Sequence, residues 1–156
     1  MKFFDFNSSE FSLDDLIAFF EYINNEFTPT LKDRLLLKSD VRTLKEYAIK
    51  LSTKGEIRIC TEQNEIIGVI TFYVNDQMSK TAYIPFIGIS PKYRSQGVAR
   101  SLLINSINEI TKLGFLQINV ETWLNNTKAI NMFTSVGFDK IANDGFNLKL
   151  TKKLCK

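Results

Sequence analysis

Apolar residues recur every three or four positions in four stretches of the chain, which is the spacing of one buried helix face. The first stretch follows SLDD at 12–15, where a hydroxyl and a carboxylate three residues apart can satisfy the free amides of a helix start. The predicted helices run from about Leu13 to Glu26, from Ser39 or Asp40 to Gly55, from Val98 to Gly114, and from Asn126 to Gly137. The segment EFTPTLKDRLLLKSD, between the first two, is interpreted as a loop.

Shorter apolar runs predict strands in MKFFDF, on both sides of a polar turn at residues 62–64, and in TAYIPFIGI and FLQINVE. Pro85 lies inside one of them and has no N–H to donate, so a bulge or a local gap in pairing is expected there. FDKIA and FNLKLTK form a terminal hairpin around the turn NDG, with Phe146, Leu148 and Leu150 alternating. The order β-α-α-β-β-β-α-β-α-β-β predicts an α+β (α/β mixed) fold with a largely antiparallel sheet.

The chain of 156 residues is 44% hydrophobic, which favours a single domain over residues 1–156. No apolar run approaches the ~18 residues of a membrane span, and the N-terminal residues lack a cleavage-site pattern. Cys60 and Cys155 suggest no disulfide framework, so a cytoplasmic location is expected. A net charge of +3 without interleaved exposed aromatics disfavours a nucleic-acid partner. The expected oligomeric state is a monomer or a homodimer.

The sequence contains no histidine, which excludes a histidine base, a Ser-His-Asp triad and most catalytic zinc sites. No metal is therefore expected. Charge is unevenly spread: residues 1–33 hold seven acids and two lysines, whereas residues 77–108 hold no acid but contain Lys80, Lys92, Arg94 and Arg100. The second segment is suited to an anion, although clustered surface charge is an equally open interpretation.

The sequence RSQGVA at residues 94–99 joins a predicted strand to a predicted helix. The first amides of a helix lack internal partners and attract anions, above all phosphate. Gly97 lets the backbone approach such a ligand closely. The loop lacks the G-K-S/T of a nucleotide-binding P-loop and the three glycines of a dinucleotide fingerprint, so it predicts a different phosphate or pyrophosphate site.

The loop resembles the R/Q-x-x-G-x-G/A motif of the GNAT acetyltransferase superfamily, and IGISPKYR before it resembles the strand and lead-in of that family. NTKAINMFTSVGF at residues 126–138 is similar to the family's N-x-x-A-x-x-hydrophobic-aromatic-x-x-x-G-F segment. That match is carried by Asn126, Ala129, Met132, Phe133, Gly137 and Phe138. The resemblance covers roughly residues 56–142, and the N-terminal third matches only in element order.

The resemblance implies a six- to seven-stranded sheet, splayed between strands 4 and 5 and flanked by about four helices, that binds acetyl-CoA. It implies that the pyrophosphate lies on Arg94, Ser95, Gln96, Gly97, Val98 and Ala99. The backbone of Ile87, Gly88 and Ile89 would pair with the pantetheine arm, and Pro85 would mark the splay. The second motif would add Asn126, Ala129 and Phe133 to the cofactor site; Asn126 as a plain helix N-cap stays open.

The resemblance also implies acetyl transfer to an amine, which needs an acceptor for the amine proton. Glu121, at the end of a strand beside the expected cleft, is the candidate base, with solvent exposure as its alternative. Tyr83, with Tyr73, could relay the proton. Family members commonly have Tyr where this chain has Phe133, so the usual proton donor for the leaving thiolate is missing.

The expected acceptor is a primary amine of a small molecule, with an amino sugar as one candidate. Two alternatives stay open. One is a protein N-acetyltransferase, and the other is an acetyl-CoA-binding regulatory module without turnover.

Overall fold

The computed structural model describes residues 1–27, 30–38 and 41–154. The α-helices in these residues are α1 (Leu13–Ile23), α2 (Leu31–Lys38), α3 (Leu44–Lys54), α4 (Val98–Lys112) and α5 (Thr127–Ser135). The strands are β1 (Lys2–Asp5), β2 (Glu56–Glu62), β3 (Glu65–Asp76), β4 (Thr81–Ile89), β5 (Gln117–Trp123), β6 (Asp139–Asn143) and β7 (Asn147–Lys153). None of the described helices is long and apolar enough to cross a membrane.

The interpretation of residues 26–40 as a loop is wrong, because α2 lies within this segment. Thr30 Oγ1 accepts the backbone N–H of Asp33 at 3.2 Å, which satisfies one free amide of the first turn. Leu31 and Leu35, four residues apart, are buried beneath the helix. Two apolar contacts in eight residues are too few for a helical period to stand out in the sequence.

Two further details differ from the prediction. The predicted start of the second helix at Ser39 or Asp40 lies outside the described residues, and the described helix α3 begins after Thr43, whose side chain accepts the N–H of Glu46. Phe146, expected to alternate with Leu148 and Leu150, precedes β7 and is 69% exposed, whereas both leucines are buried.

Seven strands form one sheet in the order β1-β2-β3-β4-β5-β7-β6. All neighbours are antiparallel except β4 and β5, which are parallel. One face carries α4 and α5 over an apolar cluster that includes Leu102, Ile110 and Phe133. The other face carries α1, α2 and α3 over a second cluster that includes Leu16, Phe20 and Leu51. The predicted α+β fold and its mostly antiparallel sheet are confirmed.

Strands β4 and β5 pair only over Thr81–Ile84 and Gln117–Val120, and then separate. Pro85 is the first residue past the last pair. On its other edge, β4 has a bulge. Thr71 pairs with Phe86 and Tyr73 pairs with Tyr83, so the single residue Phe72 of β3 lies opposite two residues of β4, Ile84 and Pro85. The sequence predicted a bulge or a gap at Pro85, and the structure contains both. The resulting wedge between the two strands opens towards α2 and α5.

Candidate active site

An outer groove of about 510 Å³ lies where the end of β4, the start of α4 and the start of α5 meet. Ten of the twelve predicted cofactor residues line it: Ile87, Gly88, Ile89, Arg94, Ser95, Gly97, Val98, Ala99, Asn126 and Ala129. Gln96 is not among the lining residues, and Phe133 lines a neighbouring cavity instead. The structure therefore brings together residues from three separate parts of the sequence.

Gly97 is the N-cap of α4 and has a left-handed backbone, with φ of +79°. It has no side chain to cap the helix, and the first turn of α4 contains no acid. A Cβ on Gly97 would meet no atom within 4 Å, so open space lies in front of these amides. The helix start therefore offers partial positive charge and N–H donors to an anion in the groove.

Arg94 forms an ion pair with Glu26 across the outer groove, with 3.2 Å between Arg94 Nη1 and Glu26 Oε1. Glu26 belongs to the acid-rich N-terminal segment, so the two oppositely charged segments of the sequence meet here. Both side chains are substantially exposed, and an exposed ion pair contributes little to stability. An anionic ligand can therefore take the place of Glu26 at a small cost.

The edge of β4 that faces β5 has no strand partner beyond Ile84 in the described sheet. The opposite edge is paired, because Ile87, Gly88 and Ile89 lie opposite Ile70, Val69 and Gly68. The backbone groups on the splayed edge are consequently available to an extended ligand, which would bind as an additional strand does.

Asn126 lies at the junction of the two cavities and lines both. Its Oδ1 accepts the N–H of Ala129 at 3.3 Å, and its Nδ2 donates to Thr122 Oγ1 at 3.3 Å. The N-cap role is thus present in the structure. Contact between Asn126 and a cofactor stays a prediction. It would use the second N–H of Nδ2 or the second lone pair of Oδ1, which these two hydrogen bonds leave unused.

An inner cavity of about 260 Å³ fills the wedge between β4 and β5 beneath α2 and α3. It adjoins the outer groove, since Phe27, Ile87, Asn126 and Ala129 line both. Both predicted catalytic residues, Tyr83 and Glu121, line the inner cavity. A ligand that occupies the groove can therefore present one end to these two side chains.

Glu121 is the first residue of β5 past the last pair with β4. Its side chain is 25% exposed, and Lys149 Nζ on the adjacent strand lies 3.8 Å from its Oε1. The alternative to a catalytic role was that Glu121 simply faces solvent, and its side chain is only partly exposed. The site has a carboxylate at the point where the two strands separate.

Three phenols border the same cavity. Burial, followed by the charge of Glu121 and the neighbouring Tyr73, raises the pKa of Tyr83 to about 12. Burial also raises the pKa of Tyr73 and of Tyr47 above the ordinary tyrosine value. All three side chains stay protonated near neutral pH, so they can donate hydrogen bonds but cannot act as bases there.

Phe133 lines the inner cavity from α5 and is buried, with its ring edge-on to Phe138 at 5.3 Å between centroids. It has no proton to give. A proton for a leaving group would have to come from water or from another group, such as the Tyr83 phenol.

Sequence reasoning missed several residues of the inner cavity, among them Arg34, Trp123 and Asn147. The Arg34 guanidinium lies over the rings of Phe27 and Trp123, at 4.8 and 5.4 Å from their centroids. Burial lowers the pKa of Arg34 to about 10, which leaves it charged at neutral pH. Thr30, a residue type that caps helices, is the local signal that could have indicated the helix that carries Arg34.

The model of the acetyltransferase (GNAT) family matches residues 16–138 of this chain. The chain belongs to this family, as the two sequence motifs predicted.

The curated relatives include two [ribosomal protein bS18]-alanine N-acetyltransferases. The protein from Haemophilus ducreyi is 31% identical over 91 residues, 58% of this chain and 63% of the relative. The protein from Escherichia coli K12 is 35% identical over 89 residues, 57% of this chain and 60% of the relative. The match to this chain thus spans about three fifths of the length of each of these relatives.

Solved structures share the whole fold at low identity. The PaiA N-acetyltransferase from Thermoplasma acidophilum, in complex with coenzyme A, has a TM-score of 0.76 and 16% identity, over 99% of this chain and 100% of that one. The ribosomal-protein-S18-alanine N-acetyltransferase from Escherichia coli has a TM-score of 0.73 and 16% identity, over 97% of this chain and 92% of that one. These likenesses confirm the fold.

We predict that Gly97→Glu weakens coenzyme A binding about tenfold or more, because it places a side chain and a negative charge in front of the α4 amides. Isothermal titration measures the affinity. Gly114→Glu is the matched control, since Gly114 also has a positive φ (+86°) and open space around its Cβ but lies past the other end of α4. Equal affinity of both variants and the wild type would remove the α4 start from the cofactor site.

We predict that Phe133→Tyr changes kcat less than about threefold. A thiolate with a pKa of about 8.5 leaves without help from an acid, so an added hydroxyl has little to improve. Phe138→Tyr adds the same hydroxyl to the other ring of the pair, outside the two cavities. A tenfold rise in kcat for Phe133→Tyr alone would show that the missing acid limits turnover.

Proposed function

We propose that this chain transfers the acetyl group of acetyl-CoA to the α-amine at the N-terminus of a protein. The observation that carries the proposal is its similarity to enzymes named for acetylating an alanine of ribosomal protein bS18. This similarity favours the protein N-acetyltransferase over the small-molecule enzyme that the sequence led us to expect. It gives no support to an amino sugar as the acceptor.

The outer groove is the proposed site of acetyl-CoA. Support comes from the free amides at the start of α4, the open edge of β4 and the coenzyme A bound to a protein of the same fold. In this arrangement the pyrophosphate lies against residues 94–99, and the pantetheine arm runs along Ile87–Ile89. The thioester then reaches the inner cavity through the part of the wedge that both cavities share.

The inner cavity is the proposed site of the acceptor. The amine nitrogen attacks the thioester carbon, the new C–N bond forms, the C–S bond breaks, and coenzyme A leaves as a thiolate. Glu121 receives the amine proton, directly or through a water molecule, and the thiolate takes a proton from water. Tyr83, held neutral, donates a hydrogen bond to an oxygen or sulfur on which charge develops.

The chemistry of this cavity is better suited to an α-amine than to a lysine side chain. An α-amine has a pKa of about 8, so roughly a tenth of it is already neutral near pH 7, compared with less than a thousandth of a lysine with a pKa of about 10.4. A cavity whose described lining residues include one carboxylate, in a chain without histidine, can therefore capture the neutral α-amine without a strong base.

The test is a mass-spectrometric assay with acetyl-CoA and three acceptors: a peptide that begins with Ala, the same sequence with a blocked N-terminus and an internal Lys, and glucosamine. We expect acetylation of the first peptide at its α-amine, and at least tenfold lower kcat/KM for the other two acceptors. Preferred acetylation of glucosamine would restore the small-molecule function. Binding of acetyl-CoA without transfer to any acceptor would support a regulatory module.

We predict that Glu121→Gln lowers kcat/KM on the preferred amine about 10²-fold and leaves acetyl-CoA affinity unchanged, because the base is lost. The rate should partly recover as pH rises, since more of the amine is then neutral. Lys149→Gln is the matched control: it removes the cation beside Glu121 but keeps the carboxylate. Full activity of Glu121→Gln at pH 7 would show that water alone takes the proton.

A further inference from the structure

The side chain of Asn147, the first residue of β7, lines the inner cavity and has one buried atom without a partner. Its Oδ1 has no hydrogen bond to any described residue. Two other buried oxygens share this property, Thr71 Oγ1 and Ser106 Oγ, but neither residue lines the groove or the cavity. A buried oxygen without a donor costs free energy in the unliganded protein, and such an atom in a ligand cavity calls for an explanation.

The hairpin turn before β7 holds the backbone of Asn147 in place. Asp144 accepts the backbone N–H of Asn147 at 2.7 Å and that of Phe146 at 3.0 Å. These bonds, together with a weaker contribution from a side-chain hydrogen bond of Asn147, lower the pKa of Asp144. These bonds fix the backbone at the start of β7, from which the Asn147 side chain extends with its Oδ1 buried and without a donor among the described residues.

Asn147 and Glu121 lie on the same face of the sheet. Asn147 is directly opposite Trp123 on β5, and Glu121, two residues before Trp123, is opposite Lys149. Residues two apart on a strand, and their cross-strand partners, project from one face. One wall of the inner cavity therefore has two acceptor groups on the same face, diagonal to each other across the β5–β7 pair: the carboxylate of Glu121 and the amide oxygen of Asn147.

We propose that Asn147 selects primary amines by accepting one N–H of the acceptor nitrogen at Oδ1, while Glu121 accepts another. A neutral primary amine has two N–H groups and one lone pair. When both N–H groups are held by the same wall, the lone pair is directed away from that wall, towards the splay where the thioester enters. Asn147 takes no proton in the reaction, because its role is to orient the nitrogen. The proposal rests on the proposed function, since it concerns the same acceptor.

A secondary amine distinguishes this arrangement from simple packing. An N-methylated α-amine has a single N–H in its neutral form, so it can satisfy Glu121 or Asn147 but not both. In the wild-type protein it leaves the buried Oδ1 without a donor, as in the unliganded state. A site built to hydrogen-bond an N–H discriminates strongly against an analogue that lacks it.

The experiment compares kcat/KM for two peptides, one beginning with Ala and the other with N-methyl-Ala but otherwise identical. We expect the wild-type protein to favour the primary amine by about tenfold or more, and Asn147→Leu to lower the rate on the primary amine about tenfold with little change for the N-methyl peptide. Asn147→Ser, whose hydroxyl is too short to reach the same point, is a second variant if the leucine disturbs folding. Coenzyme A affinity should be unchanged in both.

Asn143→Leu is the matched control, because Asn143 lies in the same hairpin, is exposed, and uses its Oδ1 to accept the N–H of Gly145 within the turn. It should keep the wild-type ratio between the two peptides. If Asn147→Leu or Asn147→Ser lowers kcat/KM equally for both peptides, Asn147 has a structural role and the proposal is overturned. The proposal is also overturned if either variant keeps the wild-type ratio of kcat/KM between the two peptides. Failure of the wild-type protein to acetylate the Ala peptide would overturn the proposed function and this inference together.

Discussion

The separation of β4 from β5 after four paired residues is the constraint on which the rest of the site depends. Proline at position 85 removes a donor where the ladder would continue, and the bulge opposite Phe72 bends β4 away at the same point. The bulge also shifts the alternation of side chains between the two faces of the sheet. As a result Ile84 and Ile87, three residues apart, both pack on the face covered by α4 and α5. Without this separation there would be no inner cavity, no open edge of β4, and no place in a cavity for Glu121.

The outer and inner ends of the wedge between β4 and β5 differ in the charge of the groups that line them. The outer end has the start of α4, Arg94 and neighbouring basic residues, and is suited to an anion. Among the described residues that line the inner end, Glu121 is the single acid, and Tyr83 is held neutral beside it. In the proposed arrangement, the charge of the cofactor stays away from the point of proton transfer, where a second anion would disfavour loss of the amine proton.

The sequence predicted the parts of this arrangement that depend on local signals. Gly97 before a helical period, Pro85 inside an apolar strand and the capping sequence at Ser12 each act within a few residues, and each was confirmed as a structural feature. Arg34 and Asn147 were missed for a different reason. Their positions depend on packing between segments far apart in the chain: α2 lies over Phe27 and Trp123, and β7 pairs with β5. No local pattern contains that information.

The charges of the inner cavity bear on which amines can enter it. Arg34 and Lys50 line it together with Glu121, so cationic side chains outnumber the acid among the described lining residues. A molecule with several ammonium groups would meet repulsion from both cations. A protein N-terminus brings one amine, which is partly neutral near pH 7, followed by backbone carbonyl groups that accept hydrogen bonds. Arg34, held over Phe27 and Trp123, places a guanidinium group in the cavity. Under the proposed function, this balance of charge is compatible with an acceptor that brings a single amine, as a protein N-terminus does.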